Sequence, residues 1–399
     1  MPIKVVRLAK RYAAVFALLA LIFTSLVLRP PVAAIGPLIP EFISVEKLSL
    51  LEVGLLSSIS VVCFGLGAFT GPWLVKRFGL NRAMLFVLLA LTAAMALRLV
   101  GGVLPILSTT VIIGLAIAIG NVLIPTVVRE QFPKKIELIT GVYVTLLAIS
   151  ASLAATIAVP SSDALGSWRE ALAIWIIPAV IAIVFWIPIA KAKSSTLTVS
   201  EKTHADEKRA VYRSPLTWAI VAFFGLQSTG FYATLNWLPS LLIDRGFTEL
   251  DAGGLLGLTT FVGVPTGFAI SIFIRRFQSL SAISVAVTSF TLIGLVIIWG
   301  YNDLVVIGCL LLGFGFAATF PLSLILVGSR ASTSTQTTQL SALAQGIGYL
   351  IAATGTFLFG ELRRLTGNWE LSLIMILALT TIQLAAGFYA GRNRVIPAK

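Results

Sequence analysis

The sequence predicts an all-α integral membrane protein of twelve transmembrane helices, arranged as two pseudo-symmetric six-helix bundles. Three observations lead to this prediction: an extreme composition, twelve long apolar runs and an internal repeat. Of the 399 residues, 58% are hydrophobic and 11% are charged, and the mean hydropathy is +1.00. Soluble globular domains have about a quarter of their residues charged, so the composition alone excludes that class.

Twelve apolar runs are long enough to cross a membrane. A hydrocarbon core ~30 Å thick needs about 20 apolar residues per helical crossing. The runs are continuously apolar, whereas β-barrel strands alternate with a period of two. The first run exceeds the length of a signal-peptide core, so we expect a retained first helix. The predicted runs are Tyr12–Pro40, Val53–Val75, Leu80–Gly101, Pro105–Val128, Leu138–Val159, Ala171–Ala190, Leu216–Ile243, Gly253–Ile274, Leu280–Trp299, Leu304–Val327, Leu340–Gly360 and Leu371–Ala390.

The charge distribution predicts that both termini are cytoplasmic. The formal net charge is +13, with 29 Lys and Arg residues against 16 Asp and Glu. Most of the basic residues fall in the two terminal segments and in the loops on the same side of the twelve runs. This is the positive-inside pattern, so the charge indicates topology rather than nucleic-acid binding. A weak attraction to anionic lipid in the bilayer is also expected.

Residues suited to metal or disulfide chemistry are scarce. Cys63 and Cys309 both lie in apolar runs, and the one histidine, His204, lies in a polar segment. Two isolated cysteines and a single histidine do not make a disulfide framework or a metal cluster. We therefore expect neither a metal nor another cofactor.

A polar segment divides the chain, and the parts on either side resemble each other. We predict a first bundle at 1–190, a cytoplasmic linker at 191–214 and a second bundle at 215–399. WLVKRFG matches IFIRRFQ 199 residues later, LIP matches WLP at the same offset, and GSWREAL matches GNWELSL at 201. Two parallel six-helix repeats are typical of secondary transporters that bind substrate near the membrane midplane between the halves.

Several longer stretches make the resemblance more specific. They are LRPPVAAIGPLIPEF, GNVLIPTVVREQFP, GSWREALAIWIIP, GLQSTGFYATLNWLPSLLIDRG and LSALAQGIGYLIAATGTFLFGELRRLTGNW. Together they resemble the cyanate permease and 2-nitroimidazole transporter family of the major facilitator superfamily, over nearly the whole chain. This resemblance implies a bacterial inner-membrane transporter, and we expect a monomer. The superfamily loop after the second helix usually contains an acid, but Lys76 stands there instead, so a gating bond from that acid is not expected.

Two arginines are predicted inside the membrane, where a charge costs roughly 2.5–3.5 kcal/mol and signals function. Arg29 is followed by two prolines in the middle of the first run. We expect it to face a water-filled cavity and to bind an anion through its planar fork of donors. Prolines that end the helix near the headgroups are the alternative. Arg98 lies near the end of the third run, where it either faces the cavity or extends its side chain to the interface.

Other polar and aromatic residues on the predicted cavity-lining helices complete the candidate site. Gln227 and Asn236 are nine residues apart, so both face a cavity only if Gly230 breaks the seventh helix. For each polar residue the alternative is an interhelical hydrogen bond, and for each aromatic it is packing. The further candidates are Asn121, Gln227, Tyr232, Asn236, Gln345, Phe231, Trp237, Phe320 and Tyr349, with Lys76, Arg77, Arg275 and Arg276 in the cytoplasmic gating loops.

The sequence therefore predicts a secondary active transporter that moves a small planar solute, an anion such as cyanate, by alternating access. Because no interior carboxylate is predicted, a co-transported proton would travel with the substrate, or a second anion would be exchanged. The first alternative is an efflux transporter for neutral aromatic compounds such as nitroimidazoles. The second is a membrane receptor or enzyme, which would need clustered reactive groups or an extramembrane domain.

Overall fold

The computed structural model describes residues 3–48, 50–191, 201–277 and 279–397, and these form helices and turns with no strand among them. The chain divides into two compact units. Unit 1 comprises Met1–Lys134 and Val142–His204, and unit 2 comprises Lys135–Gly141 and Ala205–Lys399. The division at His204 lies inside the predicted linker, whereas the short segment 135–141 joins unit 2 although the sequence places it in the first bundle.

The helices of the first half of the chain are α1 (Ile3–Val27), α2 (Pro30–Ala33), α3 (Ile39–Ser44), α4 (Leu50–Ala68), α5 (Gly71–Phe78), α6 (Leu80–Arg98), α7 (Val103–Gln131), α8 (Ile136–Leu165), α9 (Trp168–Ala173) and α10 (Ile176–Lys191). Those of the second half are α11 (Glu201–Arg213), α12 (Pro215–Ile243), α13 (Glu249–Phe261), α14 (Gly263–Phe277), α15 (Leu280–Gly300), α16 (Val305–Arg330), α17 (Ser334–Thr366) and α18 (Glu370–Ala390).

Helices occupy all twelve predicted runs. Within the described part of the chain, nine segments are long and apolar enough to cross a membrane. Four runs are broken into shorter helices, and glycine or proline stands near these breaks. The second run, for example, breaks between α4 and α5 before Gly71 and Pro72, since proline lacks the N–H that would continue the helix.

The predicted linker is partly helical. Residues 192–200 lie outside the described part of the chain, but Glu201–Arg213 form α11. The prediction of a linker at 191–214 did not specify its secondary structure, and it stays a prediction.

Several equivalent helix pairs pack together in both units. In unit 1, α6 packs on α7, and α10 packs on both α1 and α6. In unit 2, α15 packs on α16, and α18 packs on both α12 and α15. The repeat seen in the sequence is thus also a repeat of helix pairs.

A buried carboxylate joins three loops of unit 1. Glu46 Oε1 accepts hydrogen bonds from Trp168 Nε1 at 3.1 Å and from Arg169 Nη2 at 2.7 Å, and Glu46 Oε2 accepts from the backbone of Gly102. Arg169 also donates from Nε to the carbonyl of Leu99, at the end of α6. The loop after α3, the turn after α6 and the start of α9 are therefore held at one polar cluster.

Unit 2 has a corresponding cluster, but its arginines come from different places. Asp244 Oδ2 accepts hydrogen bonds at 2.8 Å from both Arg363 Nη2 and Trp369 Nε1. Arg245 donates to the carbonyls of Ile298 and Trp299 at the end of α15. At the 199 offset Ile298 matches Leu99, so the same helix end accepts an arginine in both units. The arginine comes from the loop before the last crossing in unit 1, and from the loop after the first crossing in unit 2.

The C-terminal segment is anchored to the turn between α16 and α17. Arg330 donates from Nε and Nη2 to the carbonyls of Ala390 and Gly391, and its own carbonyl accepts from the N–H of Ile396. Gln336 donates to the carbonyl of Pro397, and the side chain of Ile396 is fully buried. Arg330 thereby supplies donors and positive charge to the C-terminus of α18, where free carbonyls accumulate.

The cluster in unit 1 leads to a stability prediction. The Glu46 side chain is only 6% exposed and accepts from a charged group, and a hydrogen bond to a charged group contributes about 1.5–3 kcal/mol. We expect Glu46→Gln to lower the free energy of unfolding by about 2 kcal/mol. The measurement is the midpoint of thermal unfolding in detergent. Glu361→Gln is the matched control, because the Glu361–Arg364 pair is exposed and such pairs contribute roughly 0–1 kcal/mol. Equal shifts in the two variants would contradict the prediction.

The cluster in unit 2 leads to a pH prediction. The hydrogen bond from Arg363, with a smaller contribution from Trp369, holds the pKa of Asp244 below its ordinary value. A carboxyl whose pKa is lowered on folding adds stability above the unfolded-state value of about 3.9, and loses that contribution as the pH falls through the folded-state value. We expect Asp244→Asn to lower the unfolding midpoint by a constant amount between pH 5 and 7. Below about pH 4 the difference from wild type should shrink. A difference that grows on acidification would refute this account.

Candidate functional site

The first membrane crossing is broken at Arg29. Helix α1 ends at Val27, and Pro30 and Pro31 occupy the first two positions of α2. Proline is favoured at the start of a helix because that position needs no N–H. The apolar segment nevertheless continues from Val15 to Leu38 as one candidate crossing. The prolines therefore interrupt the crossing rather than end it, and the half-buried Arg29 lies at the interruption.

A break of this kind leaves a backbone carbonyl without its helical donor, and a neighbouring helix supplies one. The Ser150 hydroxyl of α8 lies 3.4 Å from the carbonyl of Ser25, before the break, but its one hydrogen has a closer acceptor in the carbonyl of Leu147 at 3.1 Å. Arg98 of α6 donates from Nη1 to the carbonyl of Pro31 at 2.7 Å, after the break. The N–H of Ile35, which would reach Pro31 in a continuous helix, bonds to Val32 instead. A side-chain donor thus compensates for the irregular backbone, as a membrane interior requires.

Arg98 is buried, with 2% of its surface exposed. Besides the Pro31 carbonyl, its guanidinium donates to Thr110 Oγ1 at 3.0 Å and approaches Thr109 Oγ1 at 3.5 Å, both on α7. The expectation that Arg98 extends its side chain to the interface is therefore wrong. A position facing an open cavity is equally inconsistent with this burial. A role for Arg98 in direct substrate contact stays a prediction without support from its geometry.

Asn121 forms an interhelical hydrogen bond, which was the stated alternative to substrate binding, with a partner that the sequence did not identify. Tyr143 of α8 donates from its hydroxyl to Asn121 Oδ1 at 2.6 Å, and both side chains are buried. Gly120, beside Asn121, lies against Leu28, since a Cβ at that glycine would stand 3.2 Å from Leu28 Cδ2. The amide and phenol pair is therefore on the part of α7 that meets the break in the first crossing. The signal for Tyr143 was a lone phenol in an apolar run, which needs a polar partner when buried.

The two glutamines of unit 2 bond within their own helices. Gln227 Nε2 donates to Ser228 Oγ at 2.6 Å on α12, and Gln345 Nε2 donates to Ser341 Oγ at 2.9 Å on α17. Both glutamine side chains are 2% exposed. These contacts are neither the predicted interhelical bonds nor contacts with solvent, and the proposed substrate role of both residues stays a prediction.

Helix α12 runs without a break through Gly230, which packs against the ring of Phe316. Gln227 is consequently buried while Asn236 is exposed. The condition set for both to face one cavity, a break at Gly230, is not met. The two side chains therefore do not share one face of α12, and a substrate role for either stays a prediction.

The aromatic candidates of unit 2 fall into separate groups. Phe320 and Tyr349 both contact Phe224, with ring centroids 6.0 and 5.2 Å away. Phe231 contacts Tyr232 at 5.3 Å and Phe316 at 6.0 Å, and Phe231 keeps 36% of its surface exposed.

Trp237 packs elsewhere, near the polar cluster of Asp244. Its Nε1 donates to the carbonyl of Thr356, and its ring lies 6.1 Å from that of Trp369. Gly360 lies directly beneath the Trp237 ring, since an added Cβ would collide with it. This environment is one of packing between helices, which was the stated alternative for an aromatic residue.

The basic pairs predicted in the gating loops lie at helix ends. Lys76 and Arg77 are exposed in the last turn of α5, with the Arg77 guanidinium 5.8 Å from the Trp73 ring. Arg276 is exposed near the end of α14, and the side chain of Arg275 lies outside the described part of the structure. A gating role for the four residues stays a prediction.

The sequence-family model of the Major Facilitator Superfamily matches residues 12–355 of this chain. The chain belongs to this superfamily. Its members are transporters rather than enzymes, so the protein is an integral multi-pass membrane transporter.

Two relatives align with this chain over nearly the whole length of both proteins. The 2-nitroimidazole transporter of Escherichia coli (strain K12) is 30% identical over 370 residues, covering 92% of this chain and 93% of the relative. The cyanate transport protein CynX of the same organism is 28% identical over 373 residues, covering 92% and 96%. Both agree with the resemblance noted in the sequence.

A solved structure supports the twelve-helix fold of the superfamily. The transporter FucP, in its outward conformation, matches with a TM-score of 0.75 over 95% of this chain and 99% of FucP. The sequences are 16% identical, so this likeness concerns the fold alone.

Proposed function

We propose that this transporter moves a small planar anion across the bacterial inner membrane, and that Arg29 is the group that binds the negative charge. The supporting observation is the position of Arg29: a half-buried arginine at a proline break inside an apolar crossing. A charge placed there costs roughly 2.5–3.5 kcal/mol on insertion scales, so an arginine at this depth is expected to have a function.

The break itself favours ligand binding over a purely structural role. Irregular backbone at membrane depth is found where it is buried in protein or lines a water-filled cavity. Arg29 stands between α1 and α2, and its planar guanidinium presents several donors in a fixed fork. A small planar anion, such as the cyanate transported by one relative, has the charge and shape to accept from this fork.

Asn121 and Tyr143 are proposed to contribute neutral polar groups to the same region. Their hydrogen bond orients the amide and the phenol within unit 1, beside the helix turn that contacts Leu28. Neutral donors next to an arginine add directional hydrogen bonds to the charge interaction, which helps to discriminate among anions of similar size.

Transport of an anion sets a condition on energy coupling. Moving one negative charge inward costs ~2.3 kcal/mol per 100 mV of inside-negative potential. Uniport would therefore favour export, and concentrative uptake would need a proton that travels with the substrate or a second anion in exchange. Alternating access then follows the usual scheme of the superfamily fold.

A second candidate function is efflux of neutral aromatic compounds. The observation that favours it is the group formed by Phe231, Tyr232 and Phe316, in which Phe231 is partly exposed. A relative of 30% identity is named a 2-nitroimidazole transporter. In this case the charge of Arg29 would be structural and the aromatic rings would bind the solute.

Ligand-dependent thermal stabilisation distinguishes the two candidates. The probes are cyanate and benzoate as anions, and 1-methyl-2-nitroimidazole as a neutral compound without an ionisable N–H. A ligand at 100 times its dissociation constant adds about 2.7 kcal/mol to native stability if it binds only the folded protein. We expect the anions to raise the unfolding midpoint of wild type and not of Arg29→Ala.

Arg77→Ala is the matched control, because Arg77 is an exposed arginine at a helix end. It should respond to the anions like wild type. Stabilisation of wild type and Arg29→Ala alike by the neutral probe, with no effect of either anion, would refute anion binding and support the second candidate.

A further inference from the structure

We propose that Arg98 is a positioning residue for anion binding, which acts on Arg29 through the carbonyl of Pro31. This inference rests on the proposed function, because it assigns Arg98 a role in the same site. Arg98 itself does not touch the substrate. Its guanidinium holds the backbone turn from which the Arg29 side chain projects.

The hydroxyl oxygens of Thr109 and Thr110 on α7 hold the guanidinium of Arg98 in place. The hydroxyl of Thr110 donates its own hydrogen to the carbonyl of Ile106 at 2.7 Å, and that of Thr109 donates to the carbonyl of Pro105 at 2.6 Å. A hydroxyl has one hydrogen and two lone pairs, so both oxygens keep lone pairs for the guanidinium. The Arg98 side chain is thereby fixed against α7, with Nη1 directed at Pro31.

The path from the Pro31 carbonyl to Arg29 is short and stiff. Only Pro30 stands between the two residues, and each proline ring fixes φ near −65°. The carbonyl of Arg29 accepts from the N–H groups of Val32 and Ala33, at 3.1 and 3.0 Å, which closes the same turn. Because these residues have few free torsions, fixing the Pro31 carbonyl also fixes the direction of the Cα–Cβ bond of Arg29.

The second unit offers an internal comparison. At the 199 offset, Arg29, Pro30 and Pro31 correspond to Ser228, Thr229 and Gly230, in a helix that continues without interruption. Arg98 corresponds to Ile297. The break, the arginine at the break and the buried arginine that bonds to it therefore occur together in one half and are replaced together in the other. A buried arginine whose only task was to join α6 to α7 would have no reason to accompany the break.

A double-mutant cycle tests the inference. The four proteins are wild type, Arg29→Lys, Arg98→Gln and the double variant, and the measured quantities are the dissociation constants of benzoate and 1-methyl-2-nitroimidazole together with the unfolding midpoint. We expect Arg98→Gln to weaken benzoate binding about tenfold in the wild-type background and less than about twofold in the Arg29→Lys background. Such non-additivity marks residues that act on one another. Binding of the neutral compound should be unchanged, whereas a general loss of stability would affect both ligands.

Thr110→Val is the second variant, in case Arg98→Gln does not fold. It removes one acceptor of the Arg98 guanidinium and keeps the side-chain volume, so a smaller loss of benzoate affinity, about threefold, is expected. Equal losses for both ligands, additive effects in the cycle, or unchanged benzoate binding in folded Thr110→Val would overturn the inference. If Arg29→Ala binds benzoate like wild type, the proposed function fails instead, so the two failures are distinguishable.

Discussion

A carbonyl group released from a helix inside a membrane must find a donor within the protein, because hydrocarbon offers none. The interior of unit 1 is arranged around this constraint. Proline at positions 30 and 31 interrupts the first crossing, and Arg98 of α6 donates to the carbonyl of Pro31 just after the interruption. The burial of Arg98 and the position of Arg29 are two results of the same break.

The two units share several helix pairs but use different side chains at corresponding positions. Unit 1 has Arg29 at the break, together with the hydrogen-bonded pair Asn121 and Tyr143. In unit 2 the equivalent helix, α12, is continuous, and its Gln227 bonds to the neighbouring Ser228. Aromatic contacts near α12 are numerous in unit 2. One helical framework therefore supports two chemically distinct interiors.

Much of the fold could be predicted from the sequence, because the thickness of a bilayer fixes the length of each apolar run and its composition. All twelve runs contain helices, and the superfamily was recognised from stretches such as GSWREALAIWIIP and LRPPVAAIGPLIPEF. Side-chain partners were less predictable, because they depend on which helix faces meet. Arg98 was assigned to a cavity or the interface, but two threonines and a freed carbonyl bury it. Tyr143 was missed because its importance depends on the distant Asn121.

At the ends of α6 and α15, an arginine side chain donates to a backbone carbonyl, and only the donor in such a bond depends on the sequence. The acceptors are the backbone carbonyls of Leu99 and Ile298, which exist whatever residue occupies those positions. The donors are the arginines Arg169 and Arg245, which come from unrelated loops. After a duplication, either loop could gain the arginine and the other could lose it without an intermediate that lacks the bond. The loops of the two halves could therefore diverge while the helix ends kept their shape.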